Sequence, residues 1–180
     1  MNRHLFELAS PVSATDHVVG PAHAPVTVVE YGDFECPNCK QAAPAVKSLL
    51  AQFDERVRFA FRHFPLEEVH PHALHAAEVA EIAGAQGKFW QMHDLLFDNQ
   101  AHLKPAQLHG YAERLQLDMA RYTAELDDHI YLQRVREHQD SGRRSGVRGT
   151  PTFFVNGVIQ DVSFGIRSLF DRVESALRGR

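Results

Sequence analysis

The sequence predicts an α/β domain built on one mixed sheet, with helices on both faces and an all-helical segment inserted near its middle. Three observations carry this. Strand-like runs at Val26–Tyr31 and Val57–His63 flank a helical stretch, a βαβ arrangement. From about residue 66 to 145, apolar residues recur at helical spacing with no strand signal. After that, strand character returns at Thr152–Val155, turns at Asn156-Gly157 and continues into a strand and a helix, a ββα unit. Residues 1–180 therefore read as one domain, with halves at about 17–65 and 146–180 around an insertion at about 66–145. No internal repeat, low-complexity tract or linker divides it.

Taken in order, residues 1–25 are rich in turn formers and end in Gly20-Pro21-Ala22-His23-Ala24-Pro25, with a short strand expected near His17–Val19. Val26–Tyr31 is an apolar, β-branched run. Cys36 to about Phe53 is helical, with Ala43, Val46, Leu49, Leu50 and Phe53 on one face and Pro44 expected to kink it. In Val57–His63, Val57, Phe59 and Phe61 alternate with Arg58, Ala60 and Arg62, predicting one buried face. An alanine-rich helix runs from His70/Pro71 to Ala85, ended by Gly84 and Gly87, and Lys88 to about Gln100 carries the stripe Phe89, Met92, Leu96 and Phe97. Pro105–Leu117 is a further helix. Asp118, a good N-cap, opens one through Met119, Tyr122, Leu126, Ile130 and Val135 to about Ser145, where Arg143 and Arg144 suit its negative end. The last helix spans about Arg167 to Leu177.

A length of 180 residues is ample for a real core, and 44% apolar and 23% charged residues are ordinary globular values. A net charge of −4 leaves no footprint for nucleic acid or an anionic membrane, and no apolar run could span a bilayer. Met1–Asp16 has a single Arg3 and no apolar stretch of signal-peptide length, so the expected compartment is the cytoplasm.

The only two cysteines stand together in Glu35-Cys36-Pro37-Asn38-Cys39-Lys40. Chance would place two at this spacing about one time in a hundred, and the ring they close is too small to staple a fold. The spacing suits reversible chemistry, in which one sulfur attacks and the other resolves the product. A strand, a short turn and then Cys-x-x-Cys at a helix start is the context of a redox motif. Zinc is disfavoured, since the chain has no second Cys-x-x-Cys and no fixed-spacing histidine pair. Among the twelve histidines, His70, His72 and His75 cluster at a helix start and read as a polar, solvated end. Asp33, Glu35, Glu67 and Glu68 read as a solvated acidic rim, and Trp90, Phe89 and Phe97 as packing residues.

The blocks Val28–Cys39, Gly87–Phe97 and Gly146–Gly157 resemble, in order and over nearly the whole chain, the DsbA-like branch of the thioredoxin superfamily. The resemblance implies a thioredoxin-like fold with an inserted helical subdomain and thiol–disulfide exchange with protein or peptide substrates. It implies that Cys36 is an exposed nucleophile and Cys39 the buried resolving thiol, with Pro37 and Asn38 tuning them. It also implies that Pro151 is cis, that Thr150 presents its backbone to substrate, and that Glu30 is a buried acid serving Cys39. Strongly oxidising members carry histidine where this chain has Asn38, which implies a thiolate less stabilised than theirs. No cofactor or resident metal is expected. The expected partners are thiols and disulfides and a recycling redox partner, and the expected state is a monomer. A glutathione-dependent isomerase or transferase of the same group, or a non-enzymatic metal- or partner-binding module, are the alternatives.

Overall fold

The computed structural model describes residues 7–163 and 165–179. Its sheet has five strands in the order β1 (His17–Val19), β3 (Val57–His63), β2 (Val26–Gly32), β4 (Thr152–Val155) and β5 (Val158–Gln160). β2 and β3 are parallel and are joined through α1 (Pro37–Phe53), and every other pairing is antiparallel. The sheet is mixed, as expected. β2 is central because Val26, Val28, Val29 and Tyr31 can all be buried, two on each face.

One face of the sheet carries Val26, Val28, Phe59, Phe61, Phe153 and Val155. It packs under α1 through Ala42, Val46 and Leu49, and under α7 (Arg167–Arg178) through Leu169 and Val173. α1 continues through Pro44, and its buried side is the predicted one, with Ala43 and Leu50 at the margin. The other face carries Val29, Tyr31, Ala60 and Phe154, covered by Phe64, Val147 and parts of the lead-in segment.

That second cover corrects the reading of β3, which is buried on both faces. Arg62 is 3% exposed. Its guanidinium donates to both Asp16 carboxylate oxygens at 2.7 and 2.9 Å, to the Ser10 and Pro11 carbonyls, and to the Tyr31 hydroxyl. An arginine at a polar-looking position is thus a buried tie holding the lead-in on the sheet.

Between the two sheet halves lie α2 (Ala73–Ala85), α3 (Phe89–Asp98), α4 (Pro105–Arg114), α5 (Met119–Asp127) and α6 (Leu132–Arg144). α2 is at their centre, and its alanines let α3, α4, α5 and α6 approach closely. It runs through Gly84, where a Cβ would meet the His17 ring at 2.7 Å. It ends at Gly87, whose φ of +75° lets Lys88 N–H reach back to the Ala83 carbonyl.

The single helix expected from Asp118 to Ser145 is in fact two. The chain leaves α5 at His129, which adopts a left-handed φ of +49° while its ring bonds Glu78 of α2 at 2.9 Å. The backbone N–H groups of His129 and Ile130 close on the Leu126 and Glu125 carbonyls. Ile130, placed in the apolar stripe by spacing, is 55% exposed at the turn.

Candidate active site

The turn after β2 delivers Cys36 to the N-cap of α1 with extended backbone (φ −75°, ψ 121°), and Pro37 occupies the first helical turn, where no N–H is missed. Neither cysteine is in a disulfide. Cys36 is 5% exposed and Cys39 fully buried, so the expected exposed nucleophile is nearly covered. The cover is Thr150, whose carbonyl accepts from the Cys36 Sγ thiol at 3.2 Å, reached through a cis Thr150–Pro151 bond as expected. Asn38 and Pro37 are exposed, and Asn38, Gln41, Thr150, Pro151 and Ile166 line an adjoining cleft.

This setting strongly favours the Cys36 thiolate, lowering its pKa to about 5. The Cys39 thiol hydrogen-bonded to it does most, partial burial opposes, and the Thr150 hydroxyl with the Asn38 and Cys39 backbone N–H groups adds to the effect. The Thr150 hydroxyl is buried and has no hydrogen-bond partner, which leaves it available to a Cys36 thiolate. A value near 5 falls in the middle of the range of roughly 3.5–7.5 for activated cysteines. Burial pushes the Cys39 thiol well above its ordinary value, and its bond to Cys36 and the charges of Glu30 and Cys36 push the same way.

Glu30 sits beneath the pair on β2, opposite Phe61 and Phe153 of the flanking strands. It is 2% exposed, and its Oε1 has no hydrogen-bond partner. Burial first, and the Cys36 charge second, raise its pKa to about 8. The carboxyl is therefore mostly protonated near neutral pH.

Several residues around the turn carried no such signal in the sequence. Asp33 is not a solvated rim acid but is 2% exposed. Its carboxylate accepts from the backbone N–H groups of Glu35 and Leu66 at 2.7 and 2.8 Å and from His70 Nδ1 at 2.7 Å, and its own N–H points at Cys39 Sγ. The Glu35 carboxylate accepts from His72 N–H. Gln100, between α3 and α4, donates to both the Phe34 and Cys36 carbonyls at 2.9 Å. Only the Asp33-x-Glu35 spacing, an Asx-turn, could have pointed to part of this clamp. Glu67 and Glu68 are exposed, and Glu67 pairs with Arg136.

His70, His72 and His75 do not converge. Among the described residues, His63, Glu81 and His138 do, with donor atoms within 4.8 Å of one another. Glu81 is already engaged, accepting from His17 and His63 at 3.0 and 2.8 Å with Arg134 at 3.5 Å. His138 Nδ1 accepts from the His63 backbone N–H. The group is a buried knot between β1, β3, α2 and α6. Burial and the neighbouring His63 hold His138 neutral, at a pKa of about 3, despite the Glu81 and Asp16 charges. Phe89 and Phe97 pack around His93, as does Trp90, which also lines the cleft above Glu30.

The sequence model of the thioredoxin family matches residues 12–169. A relative in Salinispora arenicola, named as an Na(+)/H(+) antiporter, is 53% identical over 97% of this chain. This chain spans about a quarter of such relatives, 27% of that one and 26% of one from Salinispora tropica. The oxidised structure of BdbD from Bacillus subtilis superposes with a TM-score of 0.83 at 23% identity, covering 96% of this chain and 98% of that one. The thiol–disulfide exchange protein alpha-DsbA2 from Wolbachia pipientis superposes at 0.73 with 20% identity, covering 89% and 88%. No helix among the described residues is long and apolar enough to cross a membrane. The chain therefore belongs to the thioredoxin superfamily and has the fold of its DsbA-like members.

Proposed function

We propose that this chain is a thiol–disulfide oxidoreductase working through Cys36 and Cys39. The observation that carries the reading is the pair's arrangement at the start of α1: Cys36 on the Thr150 carbonyl, Cys39 buried behind it and Glu30 below. The Cys36 thiolate attacks a substrate disulfide, forming a mixed disulfide and releasing one substrate thiolate, which takes a proton. In the mixed disulfide Cys36 carries no charge, which lowers the Glu30 pKa, and the Glu30 carboxylate so favoured takes the Cys39 proton as Cys39 attacks the Cys36 sulfur. The Cys36–Cys39 bond forms as the second substrate thiolate leaves. In reverse, the same disulfide oxidises a dithiol. The backbone of Thr150, beside the cleft, pairs with an extended substrate strand.

In a reducing compartment such as the cytoplasm, reduction or isomerisation is the favoured direction. The deciding measurement is the equilibrium potential of the pair against glutathione. A potential at or below the isomerase range, about −180 mV, is expected. A potential near the strong oxidants at about −120 mV would reverse the direction, and absence of exchange would remove the function. Glutathione-dependent activity surviving in Cys39→Ser would favour the glutathione-linked alternative, and zinc in the purified protein a metal-binding one. The antiporter names of the relatives support a second reading, in which this redox unit serves a membrane ion carrier. For the compartment, a membrane-impermeant maleimide should leave Cys36 unmodified in intact cells and modify it after lysis.

A further inference from the structure

Glu30 is not sealed from solvent. It forms part of a cleft of about 160 Å³ between α1 and α3, together with Ala43, Val46, Lys47, Trp90 and His93. That volume accepts several waters at about 30 Å³ each. The floor holds the Glu30 carboxyl, with Oε1 unpartnered. His93, 6% exposed, is held edge-on between Phe34, Phe61 and Phe97, with ring centroids at 5.7, 4.9 and 5.0 Å. Its Nδ1 donates to Asp94 Oδ1 at 3.1 Å, which leaves Nε2 as the free acceptor. Asp94 Oδ2 in turn accepts from Lys47 Nζ at 2.8 Å, and both of these side chains reach solvent.

We infer that this cleft is the proton exit of Glu30, and that His93, oriented by Asp94 and Lys47 at the mouth, moves the proton between Glu30 and solvent. The inference rests on the function proposed above. There, the Cys39 proton must leave the protein each time a mixed disulfide is resolved, because the attacking species is the thiolate. Glu30 receives that proton and passes it to water in the cleft. The water gives a proton to His93 Nε2, and His93 releases its Nδ1 proton at the solvent side beside Asp94. The imidazole ends one proton-neutral cycle in the other tautomer and returns by exchange with solvent.

The charged and titratable groups facing Glu30 are consistent with this route. α1 presents Cys36, Cys39 and Lys47, α3 presents His93 and Asp94, and β3 and β4 present only Phe59, Phe61 and Phe153. Burial also holds His93 below the usual histidine range, against the pull of Asp94, so the ring is neutral and ready to accept. His93 is a positioning and proton-transfer residue rather than one that touches substrate.

The test is the rate at which Cys39 resolves a mixed disulfide preformed on Cys36, followed against pH. His93→Phe, which keeps an aromatic ring in the cage, should slow resolution about tenfold, below the roughly 10²-fold of a directly acting general base. It should leave the redox potential unchanged and add little to the effect of Glu30→Gln. In His93→Ala, added imidazole should restore the rate. A wild-type rate and pH profile in His93→Phe, or full additivity with Glu30→Gln, overturns the inference. If His93→Phe does not fold, Asp94→Asn on the exposed rim decides, and an unchanged pH profile there overturns it equally. Absence of exchange in the wild-type protein would instead remove the function on which the inference rests.

Discussion

The Cys36 thiolate owes more to Cys39 than to anything else around it, and truncating Cys39 measures that directly. Lowering the Cys36 pKa from 9.0 to about 5 spans about four pH units. That corresponds to about 5 kcal/mol between thiolate and thiol, at about 1.4 kcal/mol per unit. A hydrogen bond to a charged group contributes about 1.5–3 kcal/mol, or roughly one to two pH units. Cys39→Ala should therefore raise the Cys36 pKa to about 6–7, while Cys39→Ser, whose hydroxyl still donates, keeps it near 5. Thiolate absorbance in the ultraviolet and the alkylation rate of Cys36, each scanned across pH, give the value in both variants. If Cys39→Ala still titrates near 5, the helix N-terminus and Thr150 carry the thiolate and the ranking is wrong.

The same groups make stability depend on pH with opposite signs. Cys36, depressed in the folded dithiol form, contributes stability that is present above about pH 9 and lost as the pH falls towards 5. Glu30, raised to about 8, contributes stability that is present below about 4.5 and lost as the pH rises to 8, at up to about 1.4 kcal/mol per pH unit. The two oppose each other in the dithiol protein. The disulfide form should therefore show the Glu30 slope without the Cys36 contribution above about pH 6.5, where His138 is neutral folded and unfolded, and Glu30→Gln should flatten it there in denaturant titrations. Arg62→Leu leaves the buried Asp16 charge with only the Ser13 N–H, while the Tyr31 hydroxyl keeps Ser141, and should cost about 3–5 kcal/mol in the same assay. A loss below about 1 kcal/mol would mean that water replaces the guanidinium.

Much of this was legible in the chain because it depends on short-range pattern. The pattern of apolar residues located β2, β3, β4 and most helices, and the Asn156-Gly157 turn gave the hairpin to β5. The split between α5 and α6 was not legible, because each side of His129 keeps helical periodicity. The break rests on a left-handed residue whose ring reaches Glu78, far away in sequence. The burial of Arg62 was hidden in the same way, since its partner Asp16 lies in a segment that looks like an unstructured lead-in.

The site divides along the same line. The Cys36–Cys39 spacing and the helix that follows it are consecutive in sequence, and the sequence alone determined that the two cysteines stand together at a helix N-terminus. Its resemblance to known proteins pointed to Pro151, Thr150 and Glu30. What only the tertiary structure decided is the environment: the 3.2 Å contact that covers Cys36, the clamp of Asp33, His70 and Gln100, and the cleft from Glu30 to His93. These arise where β2, α1, the insertion and the strand after Pro151 meet. Burial and charge at such a meeting point are sums over residues distant in sequence, and no local pattern encodes them.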